Sequence, residues 1–493
     1  MCGITCIFGK DHKNFPNLGL KHRGPDASRT VTNGKCTMIF TRLAINDTSE
    51  DGMQPFECQP RVNCTVNLMC NGEIFNHRDL SCGDVMARMI SNGTSDCECL
   101  IPLIHKHGIF RASQMIRGEF AMCWTDGDRV MASRDPFGVR PLFYTRYAKD
   151  SIAFASEAKE LIGFHTRVEV FPPGHIYDSY SDTFSCYYPC YWDNKDPLDV
   201  DLNKIRTGLE EAVRIRIENT DRPIGFFLSG GLDSSLVAAI ARGLTPGPIK
   251  TFSIGAPDSA DLRAARKVAD FLGTEHTEVH FDIEEGLRNV EEVIRSIESY
   301  DTTTVRASVP MWTLAKWVSE NTDIKVIISG EGSDELFGGY LYFHHAPNVE
   351  AFSKENARRL KLIHQFDGLR ADRCIAAHGL ELRVPFLDVD FVDYVMSMKQ
   401  DVKMVRGGMI EKWVLRKAFE GHLPDEVLWR QKDGMSDAVG YSWVDHLKET
   451  GEHYDKIFDR IYPGMHHLIS EKWMPKWVEA DDPSARVLKV KEQ

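Results

Sequence analysis

The spacing of hydrophobic and polar positions changes near residue 190. Before it, short apolar runs rich in β-branched and aromatic residues alternate with turn residues, at Thr65–Met69, Phe120–Trp124, Arg129–Ser133 and Pro141–Tyr147. Such runs predict sheets with few helices. Leu80–Ile90 and Cys97–His107 are the predicted helices, the second preceded by Thr94, Ser95 and Asp96 as candidate caps. An α+β sandwich fits this pattern. Residues 189–201 are polar and punctuated by proline, as a linker is. We therefore expect one domain over 2–189, a linker over 190–201, a second domain over 202–480 and a loose tail over 481–493.

Beyond the linker, short apolar runs at Pro223–Leu228, Lys250–Ile254, His276–Phe281 and Ile324–Ser329 alternate with helical stretches at Leu232–Leu244 and Leu262–Leu272. A further predicted helix, Pro310–Thr322, carries Met311, Leu314, Ala315 and Val318 on one face. Strands alternating with helices imply a parallel sheet covered on both sides, with ligands beyond the C-terminal strand ends. From Glu355 onward the pattern is mostly helical.

Composition narrows the function classes. With 493 residues, 42% hydrophobic and 27% charged, the chain is an ordinary globular protein of several domains. A net charge of −13 and the lack of a dense basic run disfavour nucleic acid as a partner. No apolar run is long enough for a membrane span, and the start lacks the basic region of a secretory signal, so a cytoplasmic setting is expected. Twelve of the thirteen cysteines precede residue 191. Their odd number and irregular spacing argue for reduced, packed thiols, and Cys97–Cys99 and Cys186–Cys190 lack the second pair a zinc site needs.

The strongest local motif is Ser229-Gly230-Gly231-Leu232-Asp233-Ser234-Ser235, set between a predicted strand and a predicted helix. Two glycines let the backbone approach a polyphosphate, and the serine hydroxyls stand at a helix N-terminus that favours anions. The lysine of a Walker A loop is missing, and an aspartate inside the loop makes sense as a Mg2+ ligand on pyrophosphate. A second run, Ser329-Gly330-Glu331-Gly332-Ser333-Asp334-Glu335, follows the strand that ends at Ile328.

The first motif resembles the pyrophosphate loop of the ATP pyrophosphatase superfamily. Together with the second run, Arg306-Ala307-Ser308, Glu381 to Asp388 and Trp429-Arg430-Gln431-Lys432, it resembles the synthetase core of glutamine-hydrolysing asparagine synthetases. The first half supplies Cys2, His22 to Asp26, Arg42-Leu43-Ala44-Ile45-Asn46, Asn71-Gly72-Glu73, Ser95 to Glu98 and Arg134 to Gly138, which in that order resemble class II, N-terminal nucleophile, glutamine amidotransferases. The implied fold is an α-β-β-α N-terminal nucleophile sandwich followed by an α/β ATP pyrophosphatase domain with a helical C-terminal part. The implied activity is asparagine synthesis from aspartate through β-aspartyl-AMP, with ammonia drawn from glutamine.

Removal of Met1 is expected before so small a residue as Cys2, leaving a thiol beside its own α-amine. With pKa values of about 8.5 and about 8, the pair supplies nucleophile and general base. The resemblance gives Asn71 and Gly72 the oxyanion, Arg42 the glutamine carboxylate and Asp96 its ammonium, with Glu73 and the Leu43 to Asn46 main chain nearby. In the synthetase half it places Leu232, Ile254, Ser329 and Gly330 around adenosine. Asp233 and Asp334 become the Mg2+ carboxylates, Lys432 a phosphate partner, and Glu331 an aid to adenylate formation and ammonia capture. Arg306, Glu335 and Arg383 match without an assigned role. Glutamine, aspartate and ATP are the implied small-molecule partners, neither nucleic acid nor membrane is, and a homodimer is compatible with the family. Ammonia is expected to travel through the protein, since ammonium in water is no nucleophile.

Some segments depart from the family. The stretch from Cys2 to His22, the Ala241 to Ile249 connection and the part after Leu447 are short, and Gly434-Met435 replaces bulkier residues beside Lys432. A phosphoribosyl-transferring relative is disfavoured by the pyrophosphate loop, a β-lactam-forming one by an intact Cys2, and a non-catalytic homologue by the survival of Cys2, Asp233, Glu331 and Asp334. Another acid acceptor in place of aspartate remains a rival.

Overall fold

A computed structural model describes the chain except residues 11–18, 62–63, 82–93, 191, 193–195, 258, 432–439, 441, 452, 470–472, 476 and 479–493. The tail, most of the Leu80–Ile90 helix and Lys432 therefore lie outside the described residues. Two compact units result: Met1–Pro189 with Asn219–Arg222 and Ala376–Glu381, and the remainder from Cys190 onward.

The first unit holds two six-stranded antiparallel sheets. One comprises β1 (Gly3–Phe8), β2 (Ala27–Asn33), β3 (Cys36–Arg42), β8 (Phe143–Ala148), β9 (Ser151–Ala155) and β10 (Val168–Val170), in the order β10-β8-β9-β1-β3-β2. The other comprises β4 (Phe56–Arg61), β5 (Cys64–Ile74), β6 (Gly118–Thr125), β7 (Val130–Arg134), β11 (His175–Asp178) and β12 (Thr183–Cys186), in the order β12-β11-β7-β6-β5-β4. Strand periodicity explains the sandwich. Ile4, Cys6 and Phe8 of β1, Cys36, Met38 and Phe40 of β3, and Ala121 and Cys123 of β6 alternate along their strands and meet in one buried cluster. A helix, Leu100–Met115, packs on β7, where Ser113 Oγ lies 2.8 Å from Ser133 Oγ. A 3-10 turn, Ala158–Phe164, covers β8 and β9 of the other sheet.

The second unit is built on β13 (Ile224–Phe227), β14 (Lys250–Gly255), β15 (Glu275–His280), β16 (Val326–Ile328) and β17 (Glu381–Arg383), in the order β15-β14-β13-β16-β17. β13 pairs in parallel with β14 and β16, and β14 with β15. Helices Leu232–Leu244, Ala260–Leu272, Ile283–Ile297 and Thr302–Asn321 intervene, and the chain beyond Val349 is largely helical.

The helix expected from Pro310 starts two turns earlier, at Thr302, where Asp301 caps it by accepting from Thr304 N. Proline at 310 reads as a first helical residue, yet here it lies inside the helix. The carbonyl four residues back loses its usual partner. That carbonyl, Arg306 O, accepts instead from Trp443 Nε1 at 3.1 Å, so a tertiary bond replaces the missing one.

Lys403 ends a 3-10 turn in this unit, 3% exposed, with Nζ 3.3 Å from Asn356 Oδ1 and 3.6 Å from Met396 Sδ. Burial pulls its pKa from the usual lysine range down to about 7. Between that value and the unfolded lysine near ~10, only the unfolded chain binds the proton, so stability falls as pH drops through this window and is flat below it. Lys403→Met keeps the stem and removes the amine. It should raise the melting temperature by several degrees at pH 6 to 7, with the gain shrinking toward pH 10; melting curves across pH check this, and a pH-independent difference would refute it.

Candidate functional site

Cys2 immediately precedes β1, whose Gly3 pairs with Thr41 of β3. This register sets Cys2 beside the end of β3. Its Sγ receives Leu43 N at 3.4 Å and lies 3.6 Å from Leu43 O, while Arg23 Nε donates to Cys2 O at 3.0 Å. Arg23 is itself held by Glu157 at 3.0 Å, which His22 also contacts at 2.9 Å. With Met1 in place, burial pushes the Cys2 thiol up to about 11, and the buried Met1 amine falls to about 5.

A pocket opens on this thiol. Of the residues expected from sequence, Arg42, Leu43, Ile45 and Asn46 line one part of it, and Gly72, Glu73 and Asp96 another. Ala44 and Asn71 are not in the lining. Ala44 N donates to Asp26 Oδ2 at 2.8 Å, so its contribution is to hold the loop. Asn71 is fully buried on β5, and neither side-chain nitrogen nor oxygen has a hydrogen-bond partner among the described residues. Gly72 is required where it stands, because a Cβ there would lie 2.2 Å from Glu119 O and 2.6 Å from Phe120 Cα of the paired strand β6.

Charge is distributed unevenly in this pocket. Arg42 donates from Nη1 to Ser49 O at 2.6 Å and from Nη2 to Asp47 O, which braces the guanidinium from behind with neutral carbonyls. Glu73 Oε2 accepts from Asn46 Nδ2 at 2.5 Å, and Asp96 Oδ2 from Ile74 N at 2.6 Å. One cation, Arg42, and three carboxylates, Glu73, Asp96 and Glu381, thus face a small cavity. Gln54 and Cys70 also line it and were not singled out from the sequence, whereas Cys97 and Glu381 stood in matching runs without a role at this site.

In the second unit the expected residues gather beyond the C-terminal ends of three adjacent strands: Ser229 to Ser235 after β13, Ile254 at the end of β14, and Ser329 to Asp334 after β16. Gly230 adopts φ +71, and a Cβ there would lie 2.4 Å from Ala265 N. Leu232 begins the helix and Gly231 precedes it without a side-chain cap, leaving the first N-H groups available to an anion. Ser229 Oγ and Ser234 Oγ lie 3.0 Å apart, and Ser235 Oγ is buried with no partner among the described residues. Gly330 packs against the same helix start, where a Cβ would lie 2.8 Å from Ser234 N. Ser329 N donates to Arg383 O at 3.1 Å.

Asp233 and Asp334 converge on one point. Lys412 Nζ stands 2.5 Å from Asp233 Oδ2 and 2.6 Å from Asp334 Oδ1, and Ser333 Oγ donates to Asp233 Oδ1 at 2.7 Å. Lys412 was not foreseen, since it follows Asp233 by 179 residues and sits in no phosphate-type motif. Glu331 Oε2 lies 2.9 Å from Arg370 Nη2, which also contacts Asp367 Oδ1 at 3.1 Å. Asp367 Oδ2 in turn receives Tyr340 OH and Arg359 Nη2, both at 2.9 Å. Burial would raise the Asp367 carboxyl, but Arg370 and Arg359 outweigh it and hold it below the usual range. Glu335, buried and close to Asp367, is pushed up to about 8.

A pocket at the Cys2 thiol lies in one unit and a Gly-Ser loop after a parallel strand in the other, and a different family matches each part of the chain. Residues 1–184 match the glutamine amidotransferase domain family, and residues 204–354 and 346–460 match the asparagine synthase family. The chain is 40% identical over 569 residues to the asparagine synthetase [glutamine-hydrolyzing] of Mus musculus, covering 99% of this chain and 98% of that one. Identity is 40% over 557 residues to a probable asparagine synthetase [glutamine-hydrolyzing] of Schizosaccharomyces pombe, with the same coverages. With the Asparagus officinalis enzyme it is 42% over 500 residues, covering 94% of this chain and 82% of that one. This chain belongs to the family of glutamine-hydrolysing asparagine synthetases.

The Lys412 geometry gives a direct expectation. Lys412→Met leaves two carboxylates facing each other without their counter-charge, a loss on the order of 2–4 kcal/mol for a largely buried pair. The melting temperature of the metal-free protein should fall, and it should recover with millimolar magnesium chloride more steeply than that of the unsubstituted protein. Calorimetry at several magnesium concentrations checks both.

Proposed function

We propose that the protein makes L-asparagine from L-aspartate, ATP and the amide nitrogen of L-glutamine, releasing AMP, pyrophosphate and L-glutamate. The observation that carries this reading is the pocket at Cys2, where a thiol shares one cavity with the Arg42 guanidinium and the carboxylates of Glu73, Asp96 and Glu381. A free α-amino acid carries a carboxylate and an ammonium side by side, and such a cavity complements both.

In this reading, removal of Met1 frees the Cys2 α-amine, which takes the thiol proton as the sulfur attacks the glutamine amide. Asn71, with its spare buried donor, and Gly72 N-H stabilise the tetrahedral oxyanion; a single donor of this kind is worth about 100-fold or more in rate. Arg42 holds the α-carboxylate, and Asp96 with Glu73 the α-ammonium, while Leu43 to Asn46 shape the floor. Collapse of the intermediate releases ammonia, and water then frees glutamate from the sulfur.

At the second site, the 229–235 loop cradles the phosphates of ATP, with Leu232, Ile254, Ser329 and Gly330 around the adenosine. Attack of the aspartate β-carboxylate on the α-phosphate gives β-aspartyl-AMP, and ammonia displaces AMP. Glu331, oriented by Arg370, is assigned to the adenylate step and to receiving the proton that ammonia loses. Lys432 is assigned to the phosphates.

The residues fit a magnesium ion. Asp233 and Asp334 already converge on a cation, the Lys412 ammonium, and both offer hard oxygen donors. They would hold the metal together with substrate phosphates, since no set of three or more acidic, histidine or cysteine side chains suited to a metal occurs among the described residues. Bound there, it would offset the charge of the departing pyrophosphate.

The remaining assignments are a cytoplasmic setting, small-molecule partners rather than nucleic acid or membrane, and a homodimer. The acidic net charge of −13 weighs against nucleic acid as a partner, and no helix among the described residues is long and apolar enough to cross a membrane.

Asparagine, AMP and pyrophosphate measured from aspartate and MgATP, with glutamine or ammonium as nitrogen donor, test the reading on the unsubstituted protein and on Cys2→Ala. The variant should lose the glutamine-driven reaction and keep the ammonium-driven one. No asparagine with either donor would refute the assignment, and glutamine-driven synthesis by the variant would refute the role of Cys2 alone.

A further inference from the structure

We propose that Asn219 is a positioning residue of the glutamine pocket, holding the Glu73 carboxylate in place at the wall that meets the α-ammonium of the substrate. The inference rests on reading the pocket as the glutamine site. Asn219 lies outside the region that matches the amidotransferase family, which ends at residue 184, yet it folds with the first unit.

Glu73 is 3% exposed on β5, and one of its oxygens, Oε2, receives two amide donors, Asn46 Nδ2 at 2.5 Å and Asn219 Nδ2 at 2.9 Å. Both donors are neutral. They orient the carboxylate without adding an opposite charge of their own, which suits a group whose work is to meet a cationic ligand. Asn219 reaches the same oxygen as Asn46, and two donors on one oxygen restrict its rotation about the last torsion more than either does alone.

The rest of the same short segment secures this placement. Asp221 N donates to Ile45 O at 3.1 Å, Asp221 Oδ2 accepts from Asp47 N at 2.9 Å, and Arg222 Nε donates to Ala44 O at 2.8 Å. Residues 219–222 thus brace the stretch that follows Arg42 from outside, while Asn219 reaches past it to Glu73. Asn219 is 8% exposed, and its side chain also lies in hydrogen-bond contact with His77.

The test compares unsubstituted protein, Asn219→Ala and Asn219→Asp in glutamine hydrolysis, glutamine-driven synthesis and ammonium-driven synthesis, with melting temperatures to confirm folding. Loss of a hydrogen bond to a charged group should raise KM for glutamine about 10-fold in Asn219→Ala while kcat stays within about 3-fold. Asn219→Asp, which sets a second carboxylate against Glu73, should raise it further. Ammonium-driven synthesis, with its KM values for aspartate and ATP, should not change. An unaltered KM for glutamine in a folded Asn219→Ala overturns the inference, as does an equal loss of ammonium-driven synthesis, which would mark a purely structural residue. Unsubstituted protein that hydrolyses no glutamine would overturn the reading of the pocket, and this inference with it.

Discussion

The pairing register of β1 on β3 is the constraint from which the first site follows. β1 lies inside its sheet, bonded to β3 on one side and β9 on the other, so its start cannot slide without moving every side chain to the opposite face. With Gly3 opposite Thr41, Cys2 falls beside Arg42 and Leu43. The proposed nucleophile and the proposed carboxylate anchor are therefore fixed by one ladder of backbone hydrogen bonds. The facing sheet supplies the rest in the same way: Asn71, Gly72 and Glu73 are consecutive on β5, and their pairing with Ala121, Phe120 and Glu119 of β6 sets all three at once.

In the second unit the organising element is charge neutralised inside the fold. A parallel sheet ends its strands on one edge, and loops there expose backbone N-H groups and collect acidic side chains. Here the acidic groups are balanced by Lys412 between Asp233 and Asp334 and by Arg370 between Glu331 and Asp367. Both cations are nearly buried, so each carboxylate keeps a fixed direction at a cost in desolvation that only close pairing offsets.

What the sequence disclosed and what it withheld divide along this physical line. Features generated by local chain geometry were legible. Leu232–Leu244 was expected and found with identical bounds, because the apolar period, the glycine before it and its length all act within a dozen residues. The 229–235 loop and the Asn71 to Glu73 run are contiguous, and contiguous residues arrive in space together. Pro310 misled because its local meaning, a helix start, was overridden by a distant indole that took up the orphaned carbonyl. Asn219, Lys412 and Arg370 were not named for the same reason. Each acts on a partner 39 to 179 residues away, and an amide or a cation carries no mark of the carboxylate it will meet.

Burial acts on Cys2, Cys6, Cys36 and Cys97 in one direction only. Cys6 and Cys36, 3.5 Å apart between the sheets, are fully buried, and their surroundings push both thiols well above the usual range. Such thiols are protonated and poor nucleophiles at neutral pH. Cys97 lines the same pocket as Cys2, yet its Cys70 neighbour, burial and the Asp96 charge raise it too. Cys2 itself is raised to about 11 while Met1 precedes it, so its position in the pocket does not activate it. In the proposed mechanism the distinction comes from the α-amine: with Met1 removed, Cys2 alone among the cysteines would carry one on its own residue, and such a base would travel with its nucleophile and need no further placement by the fold.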